Sequence, residues 1–296
     1  MSDIQQPHAL VPELPVKRYS SGSNNKSFVE TIGSLRKEFS GAHSLGFRFA
    51  ERNIRAKYRQ SVFGVIWAFL PPLATAMVWI ILNQNNIVKL SFGSAQVSYP
   101  LFVITGTLLW SVFANSVLMP LQSIQSNRVI LVKINFPREA LMISAFYEIL
   151  FNTCIALLII IIELLVFRVH LNINSFLFIP SLLILIVLGM GLGMLLLPVA
   201  LLYRDVQFIL PTLLQFAMYL TPVIYSKPLY AGLTKILKYN FVTPVLTNAR
   251  AWLLGIDSAV PAWHVFAVAM IAFFLFAVGF FLQKITLQVQ IERMGS

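Results

Sequence analysis

Glu148 and Glu163 are the first candidates for chemistry, because both carboxylates fall within one long apolar segment, residues 139–167. Two carboxylates can share acid–base work on one substrate only when they lie close together. A helix rises ~1.5 Å per residue, so their separation of 15 positions corresponds to about 22 Å. The pair is therefore too far apart for joint catalysis.

The other residue types that carry chemistry are scattered. A single cysteine, Cys154, lies in an apolar run and allows no internal disulfide. The sequence contains no G-x-x-x-x-G-K-[ST] phosphate loop, no H-E-x-x-H metal site and no G-x-S-x-G nucleophile turn. The histidines do not cluster: they are His8, His43, His170 and His264. We therefore predict no catalytic residue, no metal site and no cofactor on this chain.

The composition is typical of an integral membrane protein. Hydrophobic residues make up 58% of the 296 positions and charged residues only 11%, whereas a soluble domain has about 25% charged residues. The mean hydropathy is +0.79. A net charge of +11 would suggest nucleic acid for a soluble protein, but membrane topology explains it here. We predict contact with a lipid bilayer and not with nucleic acid.

Six apolar segments are long enough, at about 20 residues, to be helical membrane spans. They cover approximately residues 62–82, 99–120, 139–167, 176–203, 206–225 and 262–283. Pro71 and Pro72 are expected to kink the first span. Gly189 and Gly193 in the fourth form a small-x-x-x-small pair that favours close helix packing.

The two carboxylates of the third span have different expected surroundings. We expect Glu163 to reach the outer interface, because this segment is longer than the hydrocarbon layer. Glu148 is predicted to pack against a polar partner such as Asn152 or another helix, with a role in transport as the alternative.

A basic amphipathic helix precedes the first span. Residues 1–40 are predicted to be a disordered or weakly structured cytoplasmic tail, with a short helix over about 28–39. Residues 41–60 are predicted to form the amphipathic helix, which lies along the lipid headgroups. Its basic face follows helical spacing: Arg48, Arg52, Arg55 and Arg59.

The distribution of Lys and Arg predicts the orientation. Placing both termini in the cytoplasm puts most of the 22 Lys and Arg residues on the cytoplasmic side, as the positive-inside rule requires. We therefore predict a multi-pass protein of a bacterial inner membrane with both termini cytoplasmic.

The connection between the fifth and sixth spans, residues 226–261, contains two semi-apolar stretches too short to cross a bilayer. They are predicted to be two short re-entrant helices, which satisfy their own backbone hydrogen bonds. A small cap on the outer surface is the alternative. The predicted fold is thus an all-α membrane protein with six transmembrane helices, an interface helix and two re-entrant helices.

A transporter of this kind needs an energy source. A gradient-driven carrier normally has several buried ionisable residues and two related halves, neither of which is evident here. A partner ATPase fits better. The inner loop 122–138 mixes polar and apolar residues and is suited to a short helix in a groove of another protein.

Three stretches resemble the membrane subunit of type-2 ABC exporters, in the branch that moves lipid-linked polysaccharides such as O antigen, capsule and teichoic acid. They are Ile54–Pro71 (IRAKYRQSVFGVIWAFLP), Asn127–Glu139 (NRVILVKINFPRE) and Tyr203–Pro222 (YRDVQFILPTLLQFAMYLTP). The last is the most specific. The resemblance covers about residues 45–290 and implies that residues 61–290 form a six-span type-2 ABC transmembrane domain.

The resemblance implies two groups of functional residues. It implies that residues 127–138 are a coupling helix that docks on the ATPase, and that Arg204 and Asp205 are the inner turn between the fourth and fifth spans. With the interface helix, the residues that would contact the ATPase are Arg52, Arg55, Arg59, Asn127, Arg128, Lys133, Asn135, Phe136, Arg138, Arg204 and Asp205. The first and fifth spans of two copies would face each other across a pore. The aromatic residues implied to line it are Trp67, Phe69, Trp79, Phe216, Tyr219 and Tyr225.

The resulting hypothesis is a homodimeric permease that works with two copies of a separate ATPase, which binds the ATP and Mg. It would export a lipid-linked polysaccharide, O antigen first among the candidates. Two alternatives remain at this point: a type-2 ABC permease for drugs or simple lipids, and a gradient-driven carrier without an ATPase. A membrane-embedded sugar transferase lacks the acidic cluster that would hold a metal and a nucleotide sugar.

Overall fold

The computed structural model describes residues 28–59, 61, 64–87, 97–134, 136–203, 205–225, 239–258 and 260–295. The chain divides into two compact units, Met1–Lys37 and Glu38–Ser296. Of the first unit, the structure describes the helical backbone from Phe28 onward. The sections below concern the second unit.

The described residues form helices and connecting segments. The nine α-helices among them are α1 (Phe28–Tyr58), α2 (Leu70–Gln84), α3 (Tyr99–Ser126), α4 (Arg128–Lys133), α5 (Glu139–Val166), α6 (Phe178–Leu202), α7 (Asp205–Tyr219), α8 (Val242–Leu254) and α9 (Trp263–Gly295). Two 3₁₀ helices, Gly64–Ala68 and Ile173–Leu177, precede α2 and α6. The predicted all-α class is confirmed for this part of the chain.

Among the described residues, four helices are long and apolar enough to cross a membrane: Tyr99–Ser126, Glu139–Val166, Ile173–Leu202 and Trp263–Lys284. The first and fifth predicted spans are shorter, because α2 and α7 contain 15 residues each. Their crossing of the membrane therefore stays a prediction, and the six-span topology with it.

Pro71 and Pro72 do not kink the middle of a span. They lie in the first turn of α2, after the 3₁₀ helix. Proline is favoured there, because the first amide groups of a helix have no intrahelical acceptor. The proline pair therefore begins the helix at Leu70 and shortens the regular span.

The interface helix is longer than predicted. The expected helices over about 28–39 and 41–60 form one continuous helix, α1, which ends at Tyr58. Ala50 in its second half is 1% exposed, whereas Phe47 is 50% exposed. The apolar stripe of α1 is thus partly buried against the protein.

Helix α3 is the centre of the core. Leu108 and Leu109 are completely buried, and α3 packs against α2, α5 and α6. Helix α6 also packs against α9, which is the least buried of the four long helices. The long helices thus form a bundle around α3, with α9 at its periphery.

Glycines allow the backbones of α3 and α6 to approach closely, as the sequence predicts. A Cβ atom at Gly189 would lie 2.6 Å from the Ser116 Cβ, and one at Gly193 would lie 2.3 Å from the Val117 carbonyl oxygen. Neither separation is possible for real atoms. The small-residue pair is therefore required by the packing of α6 on α3.

The depth of Glu163 at the outer interface stays a prediction, but its side chain is directed into the bundle. Glu163 is in the last turn of α5, yet it is only 5% exposed. The Thr105 hydroxyl of α3 donates to its Oε2 at 3.1 Å. A polar partner on the neighbouring helix therefore holds the carboxyl group inside the bundle.

The connection before α9 is described in part. Helix α8 has 13 residues and ends at Gly255, whose φ of +66° is a left-handed helix cap. The first of the two predicted re-entrant helices, residues 228–239, lies outside the described residues except for its last position. Re-entry into the membrane stays a prediction.

Candidate functional site

The joint between α3 and α4 is built around Asn127. This residue ends α3, begins α4 and is completely buried. Its amide nitrogen donates to the Ser123 carbonyl at 2.6 Å, and its amide oxygen accepts from the guanidinium of Arg52 on α1. Two of the predicted coupling residues, Arg52 and Asn127, are thus brought into direct contact.

Aromatic side chains reinforce this contact. The Arg52 guanidinium lies 5.1 Å from the centre of the Phe49 ring, and Phe49 packs edge-to-face on Phe136 at 5.4 Å. Phe136 is therefore half-buried and holds the segment after α4 against α1. Phe136 was predicted to contact the ATPase, and in this structure its ring packs within the chain.

Helix α4 presents a mixed apolar and basic surface. Leu131 points inward and is 6% exposed, whereas Val129 and the adjoining Ile134 are 67% and 59% exposed. The predicted residues Arg128 and Lys133 are also exposed. We call Arg128, Val129, Lys133 and Ile134 the α4 ridge. An exposed apolar group with a basic rim is typical of a protein-binding surface.

The remaining predicted basic residues have different surroundings. Arg55 is exposed and pairs with Glu51 at 2.5 Å, one helical turn away. Arg59 is exposed at the end of α1. Arg138 is half-buried, and its buried Nη1 has no hydrogen-bond partner among the described residues.

Three predicted coupling residues lie outside the described residues or next to their ends. Asn135 and Arg204 lie outside the described residues. Asp205 is exposed and begins α7. A carboxylate there is favourable, because it lies next to the partial positive charge of the helix N-terminus.

Three of the six predicted pore residues lie on α2 and α7, namely Trp79, Phe216 and Tyr219, whereas Trp67 and Phe69 lie just before α2. Trp79 and Tyr219 contact each other, with ring centres 6.0 Å apart, so the C-terminal halves of these helices meet. Phe216 is 63% exposed and Trp67 is 54% exposed. Phe69 is half-buried.

Tyr225 has a different position from these five residues. It is 2% exposed, and its hydroxyl donates to the Tyr219 carbonyl at 3.1 Å. Its ring is therefore part of the packing of one chain in this structure, and it is not on the exposed face of α7.

Helix α7 exposes most of its surface. Only Leu210 and Met218 are buried among its residues. Its exposed residues include the polar side chains of Thr212 and Gln215 beside the ring of Phe216. The rest of this exposed face is large and apolar and includes Phe208, Ile209 and Leu213. The exposed faces of α5 and α9 are likewise formed by large apolar residues, such as Leu158, Ile161, Leu165, Phe266, Met270 and Phe273, so Thr212 and Gln215 are what distinguishes α7.

Two features of the site were not found by sequence reasoning. Asn53 of α1 donates to the Glu148 carboxylate at 2.9 Å, so the polar partner of Glu148 comes from the interface helix. Burial, and secondarily this carboxylate, raises the pKa of the Tyr58 hydroxyl. The only hint of this contact in the sequence was the position of Asn53 directly after Arg52 in the basic helix.

The second feature is a buried arginine in α8. Arg250 is 2% exposed and donates to the carbonyls of Pro222 and Val223, each at 2.8 Å. It connects α8 to the turn that follows α7. A lone Arg in a semi-apolar helix was the available signal.

No group of three or more His, Cys, Asp or Glu side chains that could hold a metal occurs in the part of the chain that the structure describes. The described part of the chain is instead a helical bundle with an exposed apolar and basic ridge at α4 and a largely exposed helix α7.

Comparisons with known proteins agree with this arrangement. Residues 47–254 match the family model described as ABC-2 type transporter. An O-antigen export system permease protein RfbA from Myxococcus xanthus is 27% identical over 179 residues, or 59% of this chain and 65% of the relative. A protein of the same name from Klebsiella pneumoniae is 32% identical over 108 residues, or 34% of this chain and 40% of the relative.

These matched segments thus span less than two thirds of the relatives' own length. The family match covers more than half of this chain and includes α2 to α8 together with most of the basic half of α1. The chain belongs to the ABC-2 type transporter family.

Proposed function

We propose that this chain is the membrane subunit of an ATP-driven exporter that moves a lipid-linked polysaccharide, O antigen first among the candidates, through a channel between two copies. The observation that carries the proposal is the exposed face of α7. The Thr212 hydroxyl donates to the Phe208 carbonyl of its own helix at 3.3 Å, but a polar amide such as that of Gln215 is costly where it faces hydrocarbon. The exposed face of α7 is therefore better suited to a water-filled channel than to lipid.

The contrast with α5 and α9 supports the same assignment. Their exposed residues are large and apolar, as expected for helices that face lipid. If α5 and α9 face lipid, then α7 and the neighbouring helix α2 face the second copy of the chain. Such an arrangement buries the α7 face in the homodimer and leaves its rings along the channel.

Aromatic rings are suited to a glycan as the transported molecule. Sugars present C–H faces, and a ring offers a flat surface with few rotatable bonds. Trp67, Phe69, Trp79, Phe216 and Tyr219 are the proposed pore residues. The names of the relatives from Myxococcus xanthus and Klebsiella pneumoniae favour O antigen among the glycans.

The energy would come from two copies of a separate ATPase subunit, which holds ATP and Mg. The α4 ridge is the proposed docking surface, and Arg55 and Arg59 of α1 border it in the assembled complex. Because the ATPase is cytoplasmic, the α4 end of the bundle faces the cytoplasm. Both chain termini are then also cytoplasmic, in the inner membrane of a bacterium.

Deletion of this chain in its source bacterium tests the proposal. We expect surface polysaccharide to disappear and the lipid-linked form to accumulate in the cytoplasmic leaflet, with restoration by the wild-type chain. Unchanged surface polysaccharide would contradict the proposed substrate. Loss of drug or simple-lipid export instead would select the alternative ABC permease.

A further inference from the structure

A closed ring of hydrogen bonds joins three helices at the α4 end. On one side, the Ser123 hydroxyl of α3 donates to the Leu141 carbonyl of α5 at 2.8 Å. The Ser123 carbonyl in turn accepts from the Asn127 amide at 2.6 Å. These two bonds connect the start of α5 to the joint between α3 and α4.

The other side of the ring passes through α1. The Arg52 Nη2 atom donates both to Asn127 Oδ1 and to Asn53 Oδ1, the latter at 3.0 Å. Asn53 Nδ2 donates to Glu148 Oε1 of α5 at 2.9 Å. The ring closes along the backbone of α5 between Leu141 and Glu148.

Asn53 is the residue on which this ring depends. Its amide oxygen accepts from a cation while its amide nitrogen donates to a carboxylate, so the dipole of the amide is aligned with both charges. The bonds to Asn127 and Glu148 are partly buried, whereas the bond between Arg52 and Asn53 is exposed. The Glu148 oxygen also accepts from the Ser144 hydroxyl at 3.1 Å, which fixes the carboxylate in position.

We propose that Asn53 and Glu148 are positioning residues for energy coupling: they fix α1 to α5 so that a displacement of α4 reaches the membrane bundle. This inference rests on the proposed function, because it assigns the displacement to an ATPase bound at the α4 ridge. An unlinked α4 would move on a flexible joint at Asn127. The ring instead makes α1, α4 and the first half of α5 move together.

The residues allow an exchange of donor and acceptor. Asn53→Asp removes the amide donor and places two carboxylates against each other. Glu148→Gln alone keeps an oxygen that accepts from Asn53. In the double variant Asn53→Asp/Glu148→Gln, the Gln amide donates to the Asp carboxylate, which still accepts from Arg52. The hydrogen-bond chain is thereby restored with its charges exchanged.

The experiment uses the full chain with its ATPase in lipid nanodiscs, in a Cys154→Ser background with a spin label at Ile87, which is 68% exposed. The distance between the two labels, one on each copy, is measured with and without ATP and vanadate. The measured quantity is the fraction of label pairs whose distance changes. Asn53→Asp is expected to lower the equilibrium constant of this change on the order of 2- to 30-fold. Glu148→Gln and the double variant are expected to stay near wild type.

Asn152→Ala is the matched control, because Asn152 is one turn from Glu148 on α5 and no hydrogen bond among the described residues joins the two. It should not alter the change. If Asn53→Asp fails to fold, Asn53→Ala removes the same contacts without adding a charge. A full ATP-dependent change in either Asn53 variant, or no rescue in the double variant, would overturn the proposal.

The wild-type complex separates this proposal from the proposed function. A wild-type chain that binds no ATPase, or shows no ATP-dependent change, would overturn the proposed function and this inference with it. A responsive wild type together with responsive Asn53 variants would overturn this inference alone.

Discussion

The guanidinium carbon of Arg250 lies 3.5 Å from the centre of the Phe102 ring. The same side chain donates to the carbonyls of Pro222 and Val223, so one cation connects α3, α8 and the turn after α7. Arginine keeps its proton in proteins at neutral pH, so the side chain carries a buried positive charge. Its charge is thus balanced by carbonyl dipoles and a ring face.

Arg250→Met is expected to destabilise the protein. The substitution leaves two buried carbonyls without a donor, and each such loss costs about 1–3 kcal/mol. We expect the free energy of unfolding, measured by SDS titration in mixed micelles, to fall by about 2–4 kcal/mol. Arg168→Met, at an exposed arginine, is the control and should change it by less than about 0.5 kcal/mol. Equal effects of the two substitutions would contradict this role of Arg250.

Gly193→Ala is expected to disrupt the packing of α6 on α3. The new Cβ would lie 2.3 Å from a backbone oxygen of Val117, and backbone cannot move aside as a side chain can. Overpacking of this kind costs about 1–3 kcal/mol. Gly41→Ala is the control, because a Cβ there meets no atom within 4 Å. Alanine has the higher helix propensity, so Gly41→Ala should leave stability unchanged or raise it by up to about 1 kcal/mol.

Val129→Asp is expected to separate the chain from its ATPase without unfolding it. Val129 is 67% exposed, so the substitution removes no internal contact but places a charge in the proposed interface. We expect copurification with the ATPase to fall by about tenfold or more, since a central interface residue contributes about 1.4 kcal/mol or more.

The control for the α4 ridge is Leu171→Asp, which places the same charge at another exposed leucine, 63% exposed, in the connection between α5 and α6. This variant should copurify as the wild type does. Retention of the ATPase by Val129→Asp would show that the α4 ridge is not the docking surface.

Phe216→Cys is expected to cross-link two copies of the chain. In a Cys154→Ser background, a short thiol-reactive cross-linker should give a covalent dimer on a denaturing gel, because α7 faces its counterpart in the proposed homodimer. Phe273→Cys on α9 is the control: Phe273 is equally exposed at 69% but belongs to the lipid-facing surface. A dimer formed through Phe273 and not through Phe216 would reverse the assignment of these faces.

The sequence predicted the long apolar helices because length and hydropathy are local properties. The segments 139–167 and 176–203 correspond closely to α5 and α6. The close approach at Gly189 and Gly193 was also predictable, since small residues four positions apart share one face of a helix. The proline pair was misinterpreted, because its effect depends on whether the helix has already begun.

The connections between distant residues could not be predicted in this way. Asn53 and Glu148 are 95 positions apart, and no local pattern identifies which amide meets which carboxylate. Glu163 was placed at the interface from its distance to the helix end, whereas its direction around α5 decides its burial. Tyr225 was grouped with the pore rings by residue type, although the turn after α7 directs it inward.

The most direct test of the account is transport by the purified chain in vesicles, with and without its ATPase. We predict that a lipid-linked O-antigen polysaccharide crosses the vesicle membrane only when this chain, the ATPase and ATP with Mg are all present. Crossing driven by an ion gradient, with this chain alone and no nucleotide, would contradict it.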